Sequence, residues 1–207
     1  MLFRSGAINF AGGYSEKVSP PVSTVASING AVTIAFWAYG SDNQPLRNYM
    51  VAAYGPGWNL QVLTPDTLGI PDITMAWGAG TNLISAPGTV SVAGDGLVTE
   101  YKNQWNHWAF TADASTGEMN MYLNGNLWYS VTDMTAPFNC AGNFLFTIGN
   151  HPYGGAPFAG LLDDLYIFDS ALTQAEIRSL PGIVPEPFTL SLLGIGGLLA
   201  TLGRKKK

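Results

Sequence analysis

The chain has 207 residues, a formal net charge of −5 and a pI near 4.8, with 11% charged and 12% aromatic residues. Its acidic, lysine-poor composition argues against a nucleic-acid partner, because phosphate binding needs a basic face. Cys140 is the single cysteine, so no internal disulfide framework exists, and a chain this long builds a core without one.

Taken in order, short strand patterns recur with turn residues between them, and helical periodicity is nearly absent. Gly6–Phe10 opens the series. Ala31–Tyr39 sets Val32, Ile34, Phe36 and Ala38 on one face against Thr33, Ala35, Trp37 and Tyr39 on the other. Asn48–Tyr54 and Trp58–Thr64 follow across Gly55-Pro56-Gly57, then Asp72–Trp77 and Thr89–Val92. Gln104–Asp113 and Glu118–Leu123 flank the four-residue loop Ala114–Gly117. Glu118–Leu123 meets Asn126–Thr132 across Asn124-Gly125, the strongest short hairpin signal. Asn143–Ile148 and Leu161–Phe168 complete the set. Short strands without intervening helices predict an all-β sandwich of two antiparallel sheets, one domain over residues 1–182. Phe36 or Trp37, Trp105 or Trp108, and Ile167 are expected in its core. The one helix signal is a capping box, Thr173-Gln174-Ala175-Glu176, with Ile177 and Leu180 as its apolar side and Pro181-Gly182 as its stop.

Five motifs carry a resemblance over residues 6–178. They are Gln104–Thr111 (QWNHWAFT), Met121–Gly125 (MYLNG), Thr147–Asn150 (TIGN), Phe158–Phe168 (FAGLLDDLYIF) and Ala171–Ile177 (ALTQAEI). In this order the chain resembles a laminin-G/concanavalin A-like jelly roll, with Ala7–Gly12 and Val32–Trp37 fitting its first strands. The resemblance implies close pairing of the first strand with Leu161–Phe168. It also implies carbohydrate or protein binding outside the cell, and frequently a structural calcium.

The chemistry bearing on that ion lies in Leu161–Asp169. Alternation puts Asp163 in phase with Leu165 and Ile167, and Asp164 with Tyr166 and Phe168. One carboxylate therefore starts on the apolar side, where it must be hydrogen-bonded, paired or metal-bound. The resemblance draws calcium ligands from this pair and from the loop Gly12–Glu16, where Glu16 or backbone carbonyls stand in place of the family's common Asp. The alternative is a carboxylate accepting loop amide hydrogens.

Other candidate chemistry is sparse. His107 lies between Trp105 and Trp108 without a neighbouring carboxylate and reads as a packed residue, and Cys140 reads as a small buried thiol. Two histidines and one cysteine lack transition-metal spacing. A retaining glycosidase needs two carboxyl groups about 5–5.5 Å apart. No Glu-x-Asp-x-x-Glu pattern occurs, and Glu16, Glu100 and Glu118 stand apart from other acids, so a non-catalytic domain is expected. Sugar recognition uses exposed aromatic faces beside polar groups. The loops Tyr54–Trp58 and Asn150–Phe158 offer Tyr54, Trp58, Asn150, His151 and Tyr153. The expected partner is an extracellular polysaccharide or surface glycan; a purely structural surface protein is the rival reading.

The end of the chain is unlike the rest. Pro185-Glu186-Pro187 precedes an uncharged apolar run from Phe188 to Gly203, and Arg204, Lys205, Lys206 and Lys207 close it. Sixteen residues make about 24 Å of helix, against a hydrocarbon core of roughly 30 Å. The run is read as a short membrane helix whose cations stay on the cytoplasmic face. The three-part order resembles the PEP-CTERM sorting signal of Gram-negative bacteria. That resemblance implies processing by an exosortase in the inner membrane, then a place at the cell surface or outside it. Met1-Leu2-Phe3-Arg4 is no export signal, so an entry signal is expected upstream of this sequence.

Overall fold

A computed structural model describes residues 6–42, 48–55, 58–63, 73–87 and 103–182. Eleven strands form two antiparallel sheets. The six-stranded sheet runs β1 (Ile8–Ala11), β11 (Ala159–Phe168), β2 (Ala31–Gly40), β7 (Trp105–Asp113), β8 (Glu118–Leu123) and β9 (Asn126–Val131). The five-stranded sheet runs β10 (Leu145–Ile148), β3 (Tyr49–Tyr54), β4 (Trp58–Leu63), β5 (Ile73–Ala79) and β6 (Asn82–Pro87). This is the expected sandwich, and β1 pairs directly with β11, Ile8 opposite Leu162 and Ala11 opposite Ala159. The strand expected at Thr89–Val92 and the membrane helix, its cations and the Pro185-Glu186-Pro187 spacer lie outside the described residues. Among those described, no helix is long and apolar enough to cross a membrane.

Alternation in β2 does what the pattern predicted, with both faces covered. Val32, Ile34, Phe36 and Ala38 join the intersheet core, together with Trp77, Trp108 and Phe110. Ala35 faces outward, under helix α1 (Gln174–Ser179), where Ala109, Tyr122 and Ile177 close a second cluster. Phe36 and Trp108 are the buried members of their expected pairs; Trp37 and Trp105 are half-buried, and Ile167 packs at the core's margin. Within the core, the Trp77 indole donates to the Thr111 carbonyl at 3.1 Å, a hydrogen bond from one sheet to the other.

Helix α1 is built as its capping box predicts. Thr173 accepts from the Glu176 amide, and Glu176 accepts from the Thr173 amide at 2.7 Å. The backbone and hydroxyl of Thr173 hold the Glu176 carboxyl below its ordinary range. Thr33 fixes the approach to the helix, donating to the Ser170 carbonyl and accepting from the Leu172 amide. Arg178 and Gln174 then donate to the Gly125 carbonyl in the β8–β9 turn. Burial beneath this helix pushes the Tyr122 phenol up.

One expectation of phase fails. β11 carries a bulge between Asp163 and Tyr166 in its pairing with β2, and Asp164 has φ +48°. Leu162 is buried in the core before the bulge, and Leu165 and Ile167 return to it afterwards. The extra residue resets the two-residue period, so Asp163 and Asp164 both fall at the irregularity rather than on opposite regular faces.

Candidate functional site

The expected calcium ligands are not brought together. Glu16 Oε2 accepts from the amides of Ala11 (2.7 Å) and Gly13 (3.2 Å), closing the loop just after β1. Asp163 sits beyond Leu162, at the opposite end of β1, and its Oδ1 accepts from the Asp164 amide at 2.9 Å. Roughly 10 Å of strand separates the two ends, whereas calcium draws six to eight oxygens to about 2.3–2.6 Å. Asp163 and Asp164 instead line a cavity of about 100 Å³ whose other walls include Ile8, Phe36, Val51 and Ile148. Among the described residues no group of three or more His, Cys, Asp or Glu is arranged for a metal. Asp163, Asp164 and Glu16 therefore do not together form the expected calcium centre. Chelator is therefore expected to leave the melting temperature unchanged, while Glu16→Ala costs about 1 kcal/mol by freeing two loop amides. Thermal melts of both proteins with and without chelator test this; a chelator-sensitive wild type would restore the metal.

His107 is buried against Trp37, ring centroids 5.5 Å apart, as a packed residue. Cys140 is buried, and desolvation pushes its thiol up to about 11.

Of the loop candidates, Tyr54, Tyr153 and His151 lie in successive ring contact. Tyr54 ends β3, and two exposed rings stand edge-on to it: Phe144 at 5.6 Å and Tyr153 at 5.8 Å. His151 bridges inward, 5.7 Å from Tyr153 and 5.0 Å from Tyr49. The Tyr54–Phe144, Tyr54–Tyr153 and Tyr49–His151 pairs, at interplanar angles of 87°, 78° and 72°, set a ring's positive edge against its neighbour's negative face. Tyr49 belongs with Ala52, Leu63, Ala76 and Ala156 in a cluster separate from the intersheet core, on the outer side of the five-stranded sheet. Trp58 faces Tyr54 across the β3–β4 pairing, and its side chain lies outside the described residues.

Two features shape the loop that carries Tyr153. Gly154 and Gly155 have φ +84° and +86°, which turns the chain where L residues are strained. A Cβ on Gly155 would approach the Tyr14 ring to 3.1 Å, so the bare backbone lets that ring lie against the loop. Tyr14 (72% exposed), Tyr153 (62%) and Phe144 (56%) are thereby presented around one loop. The Tyr153 amide donates to His151 Nδ1, and Lys17 Nζ donates to the Pro152 carbonyl.

Asn150 corrects an expectation. It is not available to a ligand, being fully buried. Its Nδ2 donates to the carbonyls of Tyr14 (2.9 Å) and Glu16 (3.1 Å), and its Oδ1 accepts from Ala156 at 3.1 Å. It staples the Tyr153 loop to the Tyr14 loop. Tyr14 and Phe144 are the members that sequence reasoning missed: each is a lone aromatic in a loop, and only its exposure beside Tyr54 or Gly154-Gly155 marks it.

The chain is thus a two-sheet antiparallel sandwich with aromatic loops at its margin. The Laminin_G_3 model, of the concanavalin A-like lectin/glucanases superfamily, matches residues 12–178, and the chain belongs to this family. Comparison with curated proteins gives no match. Solved structures share the fold. Domain 4 of an extracellular arabinanase from Geobacillus stearothermophilus, in complex with arabinotriose, aligns with TM-score 0.61 and 21% identity over 84% of this chain and 75% of that one. The CBM40 of the Ruminococcus gnavus IT-sialidase, bound to alpha2,3 sialyllactose, aligns with TM-score 0.59 and 13% identity over 85% and 96%. A heptameric pentraxin from Limulus polyphemus aligns with TM-score 0.60 and 17% identity over 87% and 84%.

Proposed function

We propose that the domain is a non-catalytic glycan-binding module, and that the rings of Tyr14, Tyr54, Phe144 and Tyr153 form its binding platform. The observation that carries this reading is the exposure of three aromatic rings around one braced loop. Exposed rings in a group mark interaction sites, and scattered ones do not. The carboxylates in reach of the loops hold backbone: Glu16 caps the turn after β1 rather than facing a groove. Tyr153→Ala should weaken glycan binding about tenfold, the worth of one stacked ring, since 1.4 kcal/mol is a factor of ten. It should leave stability unchanged, because Tyr153 is mostly exposed. A glycan array probed with both proteins tests the pair of expectations; equal binding by the variant would remove the platform.

The same proposal places the protein outside the cell. Pro185-Glu186-Pro187, the apolar run and Arg204–Lys207 form the sorting segment read by an exosortase in the inner membrane. Changing the three spacer residues to alanine should leave the protein in the inner-membrane fraction. Normal release of that variant, followed by fractionation and blotting, would show that the spacer plays no part in sorting.

A further inference from the structure

We infer that the site binds an extended run of sugar units, one stacked on each of Phe144, Tyr153 and Tyr14, and takes single or terminal sugars poorly. The inference rests on the glycan-binding reading above and adds a ligand class to it. These three rings are the exposed members of the cluster, at 56%, 62% and 72%. They come from three separate places in the chain: the residue before β10, the loop after β10 and the turn after β1. Half-buried Tyr54 touches two of them, Phe144 at 5.6 Å and Tyr153 at 5.8 Å, so those two stand at most the sum of these distances apart. Among the described residues no ring contact joins Phe144 to Tyr153, or Tyr14 to either. Rings out of contact have centroids more than roughly 7 Å apart. Tyr14 is still the next ring along, since it lies against Gly154 and Gly155, the residues that follow Tyr153.

The exposed rings are therefore neighbours that do not touch. A six-membered sugar ring is about as wide as a phenol ring, so one sugar unit covers one of them and cannot cover two. Consecutive units of a glycan are set apart by a ring width and a glycosidic oxygen, which suits rings spaced beyond contact but not far beyond it. A lone sugar has the use of one ring. Each further unit on the same chain reaches another ring as an intramolecular event, without a second loss of translational freedom. With one stacked ring worth roughly tenfold, affinity should climb with chain length until all three are occupied.

Isothermal titration of the full chain with arabino-, xylo- and laminari-oligosaccharides of one to six units tests this. In at least one series affinity is expected to rise about tenfold per unit as far as three units and then to level off. Phe144→Ala and Tyr14→Ala, which remove the end rings, should each bring the plateau down to two units. Leu127→Ala removes an exposed apolar side chain from β9, in the other sheet, and should bind every length as wild type does. Melting temperatures show that each ring variant folds; where one does not, leucine at the same position replaces alanine. A monosaccharide that binds within about threefold of its trisaccharide, and is lost in Tyr153→Ala, would overturn the extended-chain reading while leaving the aromatic platform standing. Absence of binding in every series, or binding that all the ring variants keep, would overturn the platform itself and this inference with it.

Discussion

Gly160→Ala should lower the melting temperature by roughly 8–16 °C, the shift that about 4 kcal/mol produces in a domain of this size. Gly160 sits in β11 between two partners, opposite Phe10 of β1 and Gly40 of β2. Its φ is +144°, and an added Cβ would come within 2.1 Å of the Tyr39 carbonyl oxygen and 3.1 Å of the Gly40 Cα. Both obstacles are backbone, and strands on either side prevent retreat. The cost therefore combines strain of about 1–3 kcal/mol with overpacking of similar size. Gly30→Ala is the control: φ is +77° but nothing lies within 4 Å of the new Cβ, so only the strain of about 1–2 kcal/mol applies. Thermal denaturation of the two variants separates the terms. Equal losses at both positions would mean that β11 and β2 can part without penalty.

Asn150→Ala should cost about 2 kcal/mol and also weaken glycan binding about tenfold. The stability loss follows from its full burial. Removing the amide strands the Glu16 carbonyl and the Ala156 amide, at about 1 kcal/mol each, while the Tyr14 carbonyl keeps the Gly155 amide as its donor. The binding loss follows from position, since the two loops it joins carry Tyr14 and Tyr153, and a platform held less rigidly binds less well. Tyr153→Ala should lose binding without the stability loss, so calorimetry and a binding assay on both variants distinguish support from contact. If Asn150→Ala bound as wild type at a temperature where it is folded, the staple would be irrelevant to recognition.

Strand patterning was legible wherever alternation was strong. β2, β7 and β8 lie where Ala31–Tyr39, Gln104–Asp113 and Glu118–Leu123 were expected, because their apolar residues repeat with period two. β6 was not expected. Asn82-Leu83-Ile84-Ser85-Ala86-Pro87 is short and ends in proline, and its hairpin with β5 turns on Gly80-Thr81, a weaker signal than Asn124-Gly125. The bulge at Asp163-Asp164 was not legible either, since one inserted residue leaves composition untouched while shifting every later side chain. Asn150 illustrates the limit most clearly. Its partners at Tyr14 and Glu16 lie more than 130 residues away in the chain, so nothing local distinguishes a staple from a ligand contact.

The way α1 is strapped down fixes how the domain would be held. The helix lies on the outer side of the six-stranded sheet, over Ala35, Ala109 and Tyr122, with Arg178 and Gln174 gripping the β8–β9 turn. The ring cluster centred on Tyr54 belongs to the other sheet's outer side. Any pull applied along Ala171–Gly182 would pass through the Gln174 and Arg178 hydrogen bonds to the turn at Gly125-Asn126, which would give way before the sheet beneath it.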